Sequence, residues 1–233
     1  MFLLAICTAV FYGVLLWTIY VALEPFVRRY WPQTLVSWTL VLTGHIRDRV
    51  VGRDILFGVA LGLAWVLLIR GGDLLGGQEL AGFPGAMEAL DGLRATVGLV
   101  LMQGLYAIRN ALLFFFLLFL LRAALRNQWA AALAFTGIFV LLEMIGSDRP
   151  WLDGVQTLLY MGGVAVAVLR RGLLSLAVGM FVTNVVLVAP LTRDLTAWYF
   201  GNMMLLVAIP VALASWALYA SLVGRRWKME VGR

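Results

Sequence analysis

The chain has 233 residues, of which 63% are apolar and only 13% charged, and this excludes an ordinary soluble domain, in which about half of the residues are apolar. The net charge of +6 does not indicate nucleic-acid binding, because the basic residues lie in small groups between apolar runs and not together on one solvated face. The sequence therefore predicts an all-α integral membrane protein with one polytopic domain, a bundle of about seven transmembrane helices plus one cytoplasmic interfacial amphipathic helix.

The apolar run over residues 2–23 predicts the first spanning helix. This helix is expected to end at Glu24 and Pro25, because proline cannot continue a regular helix. The run has no basic segment before it and no small-residue cleavage site after it, which favours a retained helix over a signal peptide. Cys7, the only cysteine, lies inside this run, so no intrachain disulfide is expected.

The next segment, residues 28–54, combines arginines with apolar side chains at helical spacing. Such a pattern is typical of a helix that lies in the membrane surface, with tryptophans at the depth of the headgroups. Its predicted partner is a bilayer with anionic headgroups on the cytoplasmic side. The candidate headgroup contacts are Arg28, Arg29, Arg47, Arg49, Arg53, Trp31 and Trp38. His45, the only histidine, lies among these arginines and is expected to contact headgroups as well.

Six further apolar runs predict the remaining spanning helices, at residues 55–69, 95–121, 129–145, 152–169, 172–189 and 199–222. The run over 55–69 is short, since 15 residues make a helix of only about 22 Å. A loop rich in glycine and acidic residues, 71–94, follows it, and this composition predicts a solvated extracytoplasmic segment. Pro210 lies inside the last run and predicts a kink there.

The charges between these runs predict the orientation. Thirteen of the eighteen basic residues follow the first, third or fifth helix or lie in the C-terminal tail, whereas the opposite side carries four arginines and seven acids. Lysine and arginine accumulate on the cytoplasmic side of membrane proteins. The charge pattern therefore predicts a multi-pass membrane protein with its N-terminus outside and its C-terminus inside.

The sequence shows no catalytic motif. It has a single histidine, no HExxH or GxSxG pattern, and glycine pairs that no GK[ST] sequence follows. Metal sites normally need three or four convergent ligands. We therefore expect no catalytic residue, cofactor or metal site in this chain.

Two charged residues at bilayer depth need an explanation, because a charge in hydrocarbon is costly unless it is paired or wet. Arg109 in the third predicted helix and Glu143 in the fourth each lie about 20 Å from the cytoplasmic end of their helix. Equal depth on neighbouring helices makes them a candidate intramembrane ion pair. In the alternative interpretation Glu143 reaches the outer interface, while Arg109 binds carbonyl groups or faces a wet cleft.

Three local strings carry a family resemblance: YVALEPFVRRYWPQTL at residues 20–35, VGRDIL at 51–56 and AWY at 197–199. Together they resemble the C-terminal transmembrane region of acidobacterial-type bacterial serine/threonine protein kinases. The resemblance implies that the protein lies in the bacterial cytoplasmic (inner) membrane. In such kinases the catalytic domain precedes several membrane helices. This chain lacks the glycine-rich loop, the VAIK lysine, HRD and DFG, so the resemblance implies kinase activity only if the chain is a fragment of a longer protein.

The expected function is therefore a non-catalytic module that anchors a kinase domain to the membrane, in cis or in trans, and relays signals to it. The alternative is a small transporter or channel subunit whose path is lined by Arg109 and Glu143. An intramembrane enzyme is disfavoured, because nucleophile, base and ligands are lacking. A kinase domain encoded in frame upstream of the chain would distinguish the first function from the second.

Overall fold

The structure, a computed structural model, describes residues 7, 10–15, 17–18, 21, 34–77, 90–190, 198 and 200–230, the last eight of these by their backbone alone. All regular secondary structure in these ranges is helical. The helices are α1 (Val36–Leu42), α2 (Arg49–Leu75), α3 (Leu93–Leu125), α4 (Gln128–Gly146), α5 (Pro150–Arg170), α6 (Leu173–Leu187) and α7 (Phe200–Glu230), and residues 10–15 are also helical.

Five of these helices, α2, α3, α4, α5 and α7, are long and apolar enough to cross a membrane. The predicted class, an all-helical multi-pass membrane protein, is thereby confirmed. Helix α6 is shorter, since 15 residues at 1.5 Å each give about 22 Å. Most of the first predicted helix, residues 2–23, lies outside the described part of the chain.

Helix α2 differs most from the sequence-based prediction. It begins at Arg49 and runs without a break to Leu75, so it is 27 residues long and spans about 40 Å. The start is fixed by Asp48, whose side chain accepts a hydrogen bond from the backbone N–H of Val50 at 2.8 Å. The predicted boundaries at Ile55 and Ile69 were therefore wrong. The sequence predicted one interfacial helix over residues 28–54. In the described part of this segment, residues 34–54, the structure has the seven-residue helix α1 and the start of α2 at Arg49.

Helix α6 lies at the centre of the bundle. It packs against α1, α2, α3, α5 and α7, and most of its side chains are buried, among them Leu176, Val182 and Val185. A helix enclosed by other helices needs no long lipid-facing surface, and this explains how so short an apolar segment fits a bundle of longer ones.

The contact between α2 and α6 depends on small residues spaced by four. Gly58 and Gly62 on α2 face Ser175 and Gly179 on α6. A Cβ atom added to Gly58 would lie 2.7 Å from the Ser175 carbonyl oxygen, and one added to Gly62 would lie 2.5 Å from that of Gly179. Thr183 Oγ1 donates a hydrogen bond across the interface to the Gly62 carbonyl at 3.1 Å. This is the small-xxx-small packing that lets membrane helices approach closely.

Contacts between helix ends show that the helices alternate in direction. At one end, the start of α2 contacts the end of α5 through Asp54 and Arg171. At the other end, near the end of α2, Arg70 donates a hydrogen bond to the Leu187 carbonyl at the end of α6, at 3.2 Å. We call the end with residues 43–49, 126–127 and 171–172 the basic end, and the end with residues 76–77, 91–92 and 147–149 the acidic end. The described residues of these loops thus group as the sequence analysis grouped them, with those of one predicted side at one end of the bundle.

Candidate functional site

Arg109 lies half-buried on α3 among aromatic side chains. Its Nη1 donates a hydrogen bond to the Tyr12 hydroxyl at 3.2 Å, and its Nε donates to Asn110 Oδ1 at 3.2 Å. The guanidinium carbon lies 5.6 Å from the ring centre of Tyr12 and 5.0 Å from that of Tyr106. These distances are within the range of cation–π attraction. Arg109 therefore fastens the N-terminal helical residues to α3.

Glu143 has different surroundings. It is exposed on α4, three residues before the helix ends at Gly146, and it lines a cavity between α2, α4 and α5. Among the ion pairs of the described residues, none joins Glu143 to Arg109. Arg109 contacts Tyr12, Asn110 and Tyr106, whereas Glu143 lines the cavity near the end of α4, so the two side chains have different surroundings.

This geometry gives a testable expectation. The losses of thermal stability in Arg109→Leu and Glu143→Leu should add in the double variant, because side chains without shared partners act independently. The stability losses of Arg109→Leu and Tyr12→Phe should not add, because both substitutions remove the same hydrogen bond. Melting temperatures of the detergent-solubilised variants measure both cycles. If the double Arg109/Glu143 variant is more stable than either single variant, the predicted ion pair is supported and this expectation is contradicted.

The cavity beside Glu143, here called the acidic cavity, has a volume of about 370 Å³. Three carboxylates line it: Asp73 near the end of α2, Glu143 near the end of α4 and Asp153 in the first turn of α5. Arg70 lies 3.9 Å from Asp73, and Ser147 donates a hydrogen bond to Asp153. No group of three potential metal ligands occurs in the described part of the chain.

The inner wall of the acidic cavity is aromatic. Tyr160 lines it and stacks on Trp65 with ring centres 4.7 Å apart, and Trp65 is almost fully buried. Trp65 fits there because Gly163 on α5 and Gly179 on α6 have no side chain in its place. The aromatic pair therefore separates the cavity from the centre of the bundle.

A buried acid lies at the basic end. The side chain of Asp54 is only 3% exposed, and its Oδ2 accepts a hydrogen bond from the Ser37 hydroxyl. Its Oδ1 lies 3.8 Å from Nη1 of Arg171 and 3.6 Å from Nε of Arg53. The carboxylate thus joins α1, α2 and the turn between α5 and α6. We call Asp54, Ser37, Arg53 and Arg171 the Asp54 network.

Sequence reasoning missed this network. It treated Asp54 only as the last residue of the basic segment 28–54, although an acid inside an arginine-rich stretch was a visible signal. Gly172 makes the network possible, because its φ of +91° and its close approach to the Thr34 carbonyl exclude a side chain. The resulting two-residue turn brings Arg171 to Asp54, and the Arg171 guanidinium also covers the Phe57 ring at 5.1 Å.

The candidate headgroup contacts that the structure describes have different surroundings. Arg47 and Arg49 are exposed at the basic end, as such contacts require. Arg53 is 59% exposed but is shared with Asp54. Trp38 is half-buried and packs against the core of the bundle. His45 is exposed, and its Nδ1 lies 3.2 Å from the Thr43 hydroxyl oxygen. The remaining candidates, Arg28, Arg29 and Trp31, lie outside the described residues.

Comparison of the chain with protein-family models, with curated proteins and with solved structures finds no match. The resemblance to kinase membrane regions thus rests on the three local strings. One of them, VGRDIL, has a clear place in the fold. It forms the first turns of α2 and supplies Arg53 and Asp54, together with Gly52, against which the backbone of Ala217 on α7 packs.

Proposed function

We propose that this chain is a non-catalytic membrane module that anchors a kinase-type partner and relays signals to it. The observation that carries the proposal is the continuity of α2, which joins the Asp54 network at the basic end to the acidic cavity at Asp73. Between them α2 is held against α6 by Gly58 and Gly62. A continuous, closely packed helix is the kind of element through which two distant sites can be coupled.

The proposed topology has seven spans in the bacterial inner membrane. Residues 2–23 and α6 would add to the five long helices. The basic end would face the cytoplasm, since arginine accumulates on that side, and a cytoplasmic kinase would meet the Asp54 network there. The N-terminus would then be outside and the C-terminus inside.

This orientation predicts the labelling of single cysteines by a membrane-impermeant maleimide. In a Cys7→Ser background, Asp148→Cys at the acidic end should react in intact cells, and Gln128→Cys at the basic end should react only after the membrane is opened. Both side chains are exposed, so access to the reagent depends on the membrane alone. Reaction of both, or of neither, in intact cells would contradict the topology.

The proposed kinase partner can be tested by reading the neighbouring genome sequence and by assaying native membranes. We expect a kinase domain in a neighbouring gene, or in frame with the chain and joined to it by at least one further preceding helix that keeps the kinase in the cytoplasm. We expect the kinase to copurify with the chain. Kinase autophosphorylation in native membranes should change in Asp54→Asn, which weakens the network, and not in Arg170→Gln, an exposed arginine next to it. The absence of a kinase both from the neighbouring sequence and from the purified complex would contradict the proposal.

The acidic cavity favours a second candidate, a small transporter or channel subunit. Such a path would use Glu143 but not Arg109, which does not line the cavity. The packed interface between α2 and α6 and the Trp65–Tyr160 pair leave the cavity closed towards the basic end. Cation flux into proteoliposomes that Glu143→Gln abolishes would favour this candidate over the first.

A further inference from the structure

We infer that the Asp54 network binds one ordered water molecule, which bridges the Asp54 carboxylate, the Arg171 guanidinium and the Ser175 hydroxyl. The site lies at the basic end, where α2 and α6 begin beside each other. The inference goes beyond the proposed function, because it holds with or without a kinase partner. It rests on two buried oxygen atoms, on their distances to the nearby arginines and on the register of α2 against α6.

The first observation is the incomplete hydrogen bonding of Asp54. Its Oδ2 accepts a hydrogen bond from the Ser37 hydroxyl, but its buried Oδ1 has no hydrogen-bond partner among the described residues. Nε of Arg53 lies 3.6 Å from this Oδ1, and Nη1 of Arg171 lies 3.8 Å from it. Both distances exceed the roughly 3.2 Å of an N–H···O hydrogen bond. A polar contact of this length leaves room for a bridging water molecule.

The second observation is the hydroxyl of Ser175 on α6. Ser175 is fully buried, and its Oγ has no hydrogen-bond partner in the part of the chain that the structure describes. Buried polar atoms of native proteins are almost always hydrogen-bonded, either to protein groups or to ordered water. Water is therefore the natural partner of this hydroxyl.

The register of the two helices brings these two observations to one place. Helices α2 and α6 run in the same direction, since both begin at the basic end and both end at the acidic end. A Cβ atom added to Gly179 on α6 would lie 3.3 Å from the Gly58 carbonyl oxygen on α2. One helical turn earlier, α6 has Ser175 and α2 has Asp54. The same packing therefore places Ser175 beside Asp54.

A water molecule has the hydrogen-bonding groups that this site needs. It can donate to Asp54 Oδ1, accept from Arg171 Nη1 and use its remaining proton or lone pair for Ser175 Oγ. Buried waters typically make about three hydrogen bonds to groups that otherwise lack a partner. A sodium ion also binds oxygen atoms, but it is disfavoured here because two arginines already lie beside the carboxylate.

Proton-detected solid-state NMR of the protein in lipid bilayers measures the contact between water and Ser175. We expect a cross peak between the water protons and the methylene protons of Ser175. Thr183 is the matched control, because it is almost fully buried on the same helix but already donates to the Gly62 and Gly179 carbonyls, at 3.1 and 2.9 Å. We expect no water cross peak at Thr183. The inference is overturned by the lack of a cross peak at Ser175, or by equally strong cross peaks at both residues.

Ser175→Ala tests the same site through the melting temperature of the detergent-solubilised protein. Ser215→Ala is the control, because Ser215 is an exposed serine of α7 and its replacement brings the same gain in helix propensity. The bound water loses a hydrogen bond only in Ser175→Ala, so this variant should melt about 2 to 4 °C below Ser215→Ala. Without the water, the substitution would only remove a buried hydroxyl that lacks a partner, which is stabilising. A melting temperature of Ser175→Ala equal to or above that of Ser215→Ala would therefore overturn the inference.

Discussion

Gly62→Ala is expected to lower the melting temperature of the protein sharply, although alanine normally stabilises a helix by about 1 kcal/mol relative to glycine. The added methyl group would lie 2.5 Å from the Gly179 carbonyl oxygen, which belongs to the backbone of the central helix α6 and cannot move alone. Helices α2 and α6 must separate, which also lengthens the hydrogen bond from Thr183 to the Gly62 carbonyl. Overpacking of this kind costs about 3 kcal/mol.

The control is Gly98→Ala on α3, where a Cβ would have no neighbour within 4 Å. This change should leave the melting temperature unchanged or raise it, because only the helix propensity differs. Thermal unfolding of the two variants in the same detergent, followed by circular dichroism, makes the comparison. Equal melting temperatures for Gly62→Ala and Gly98→Ala would show that the two helices do not approach as closely as described.

Arg171→Gln is the second change for which a large loss of stability is expected. It leaves the buried Asp54 carboxylate with only Ser37 and the largely exposed Arg53 as partners. Removing one member of a buried ion pair costs about 3 to 5 kcal/mol because the other charge is stranded. Arg171 is itself 31% exposed, so solvent already screens its charge. We therefore expect the free energy of unfolding to fall by about 3 kcal/mol.

The neighbouring Arg170→Gln provides the control. Arg170 is exposed, and its replacement changes the net charge of the protein by the same amount as Arg171→Gln. The free energy of unfolding of this variant should fall by less than about 1 kcal/mol, as for other exposed charges. In an Asp54→Asn background, Arg171→Gln should cost much less than in the wild type, since no buried charge remains to be stranded. Equal losses for Arg171→Gln in both backgrounds would mean that Arg171 stabilises the turn without Asp54.

The class of the protein was predictable because composition alone decides whether a chain can be kept in water or must lie in lipid. Helix boundaries were harder to predict. Hydropathy placed the start of α2 at Ile55, where the apolar run begins, but the helix starts at Arg49 because Asp48 caps it. A cap is a hydrogen bond of one side chain, and a hydropathy average over many residues does not detect it.

The candidate site shows the same limit in three dimensions. Spacing along a helix gives the depth of Arg109 and Glu143, but not which neighbour each one faces. Tyr12, which binds Arg109, is 97 residues away in the sequence. Asp54 and Arg171 are brought together only by the turn at Gly172, which no periodicity predicts. Long-range partners of this kind depend on how the helices pack.

The close contact between α2 and α6 also sets the order of events during synthesis. The hydrogen bond from Thr183 to Gly62 joins residues 121 positions apart. At about 5 to 20 residues per second, a ribosome needs about 6 to 24 s to make that stretch. During this interval Gly58 and Gly62 lack the helix α6 against which they pack in the folded protein. A nascent chain in this state presents a surface on which two copies of α2 can associate, and the arrival of α6 ends that opportunity.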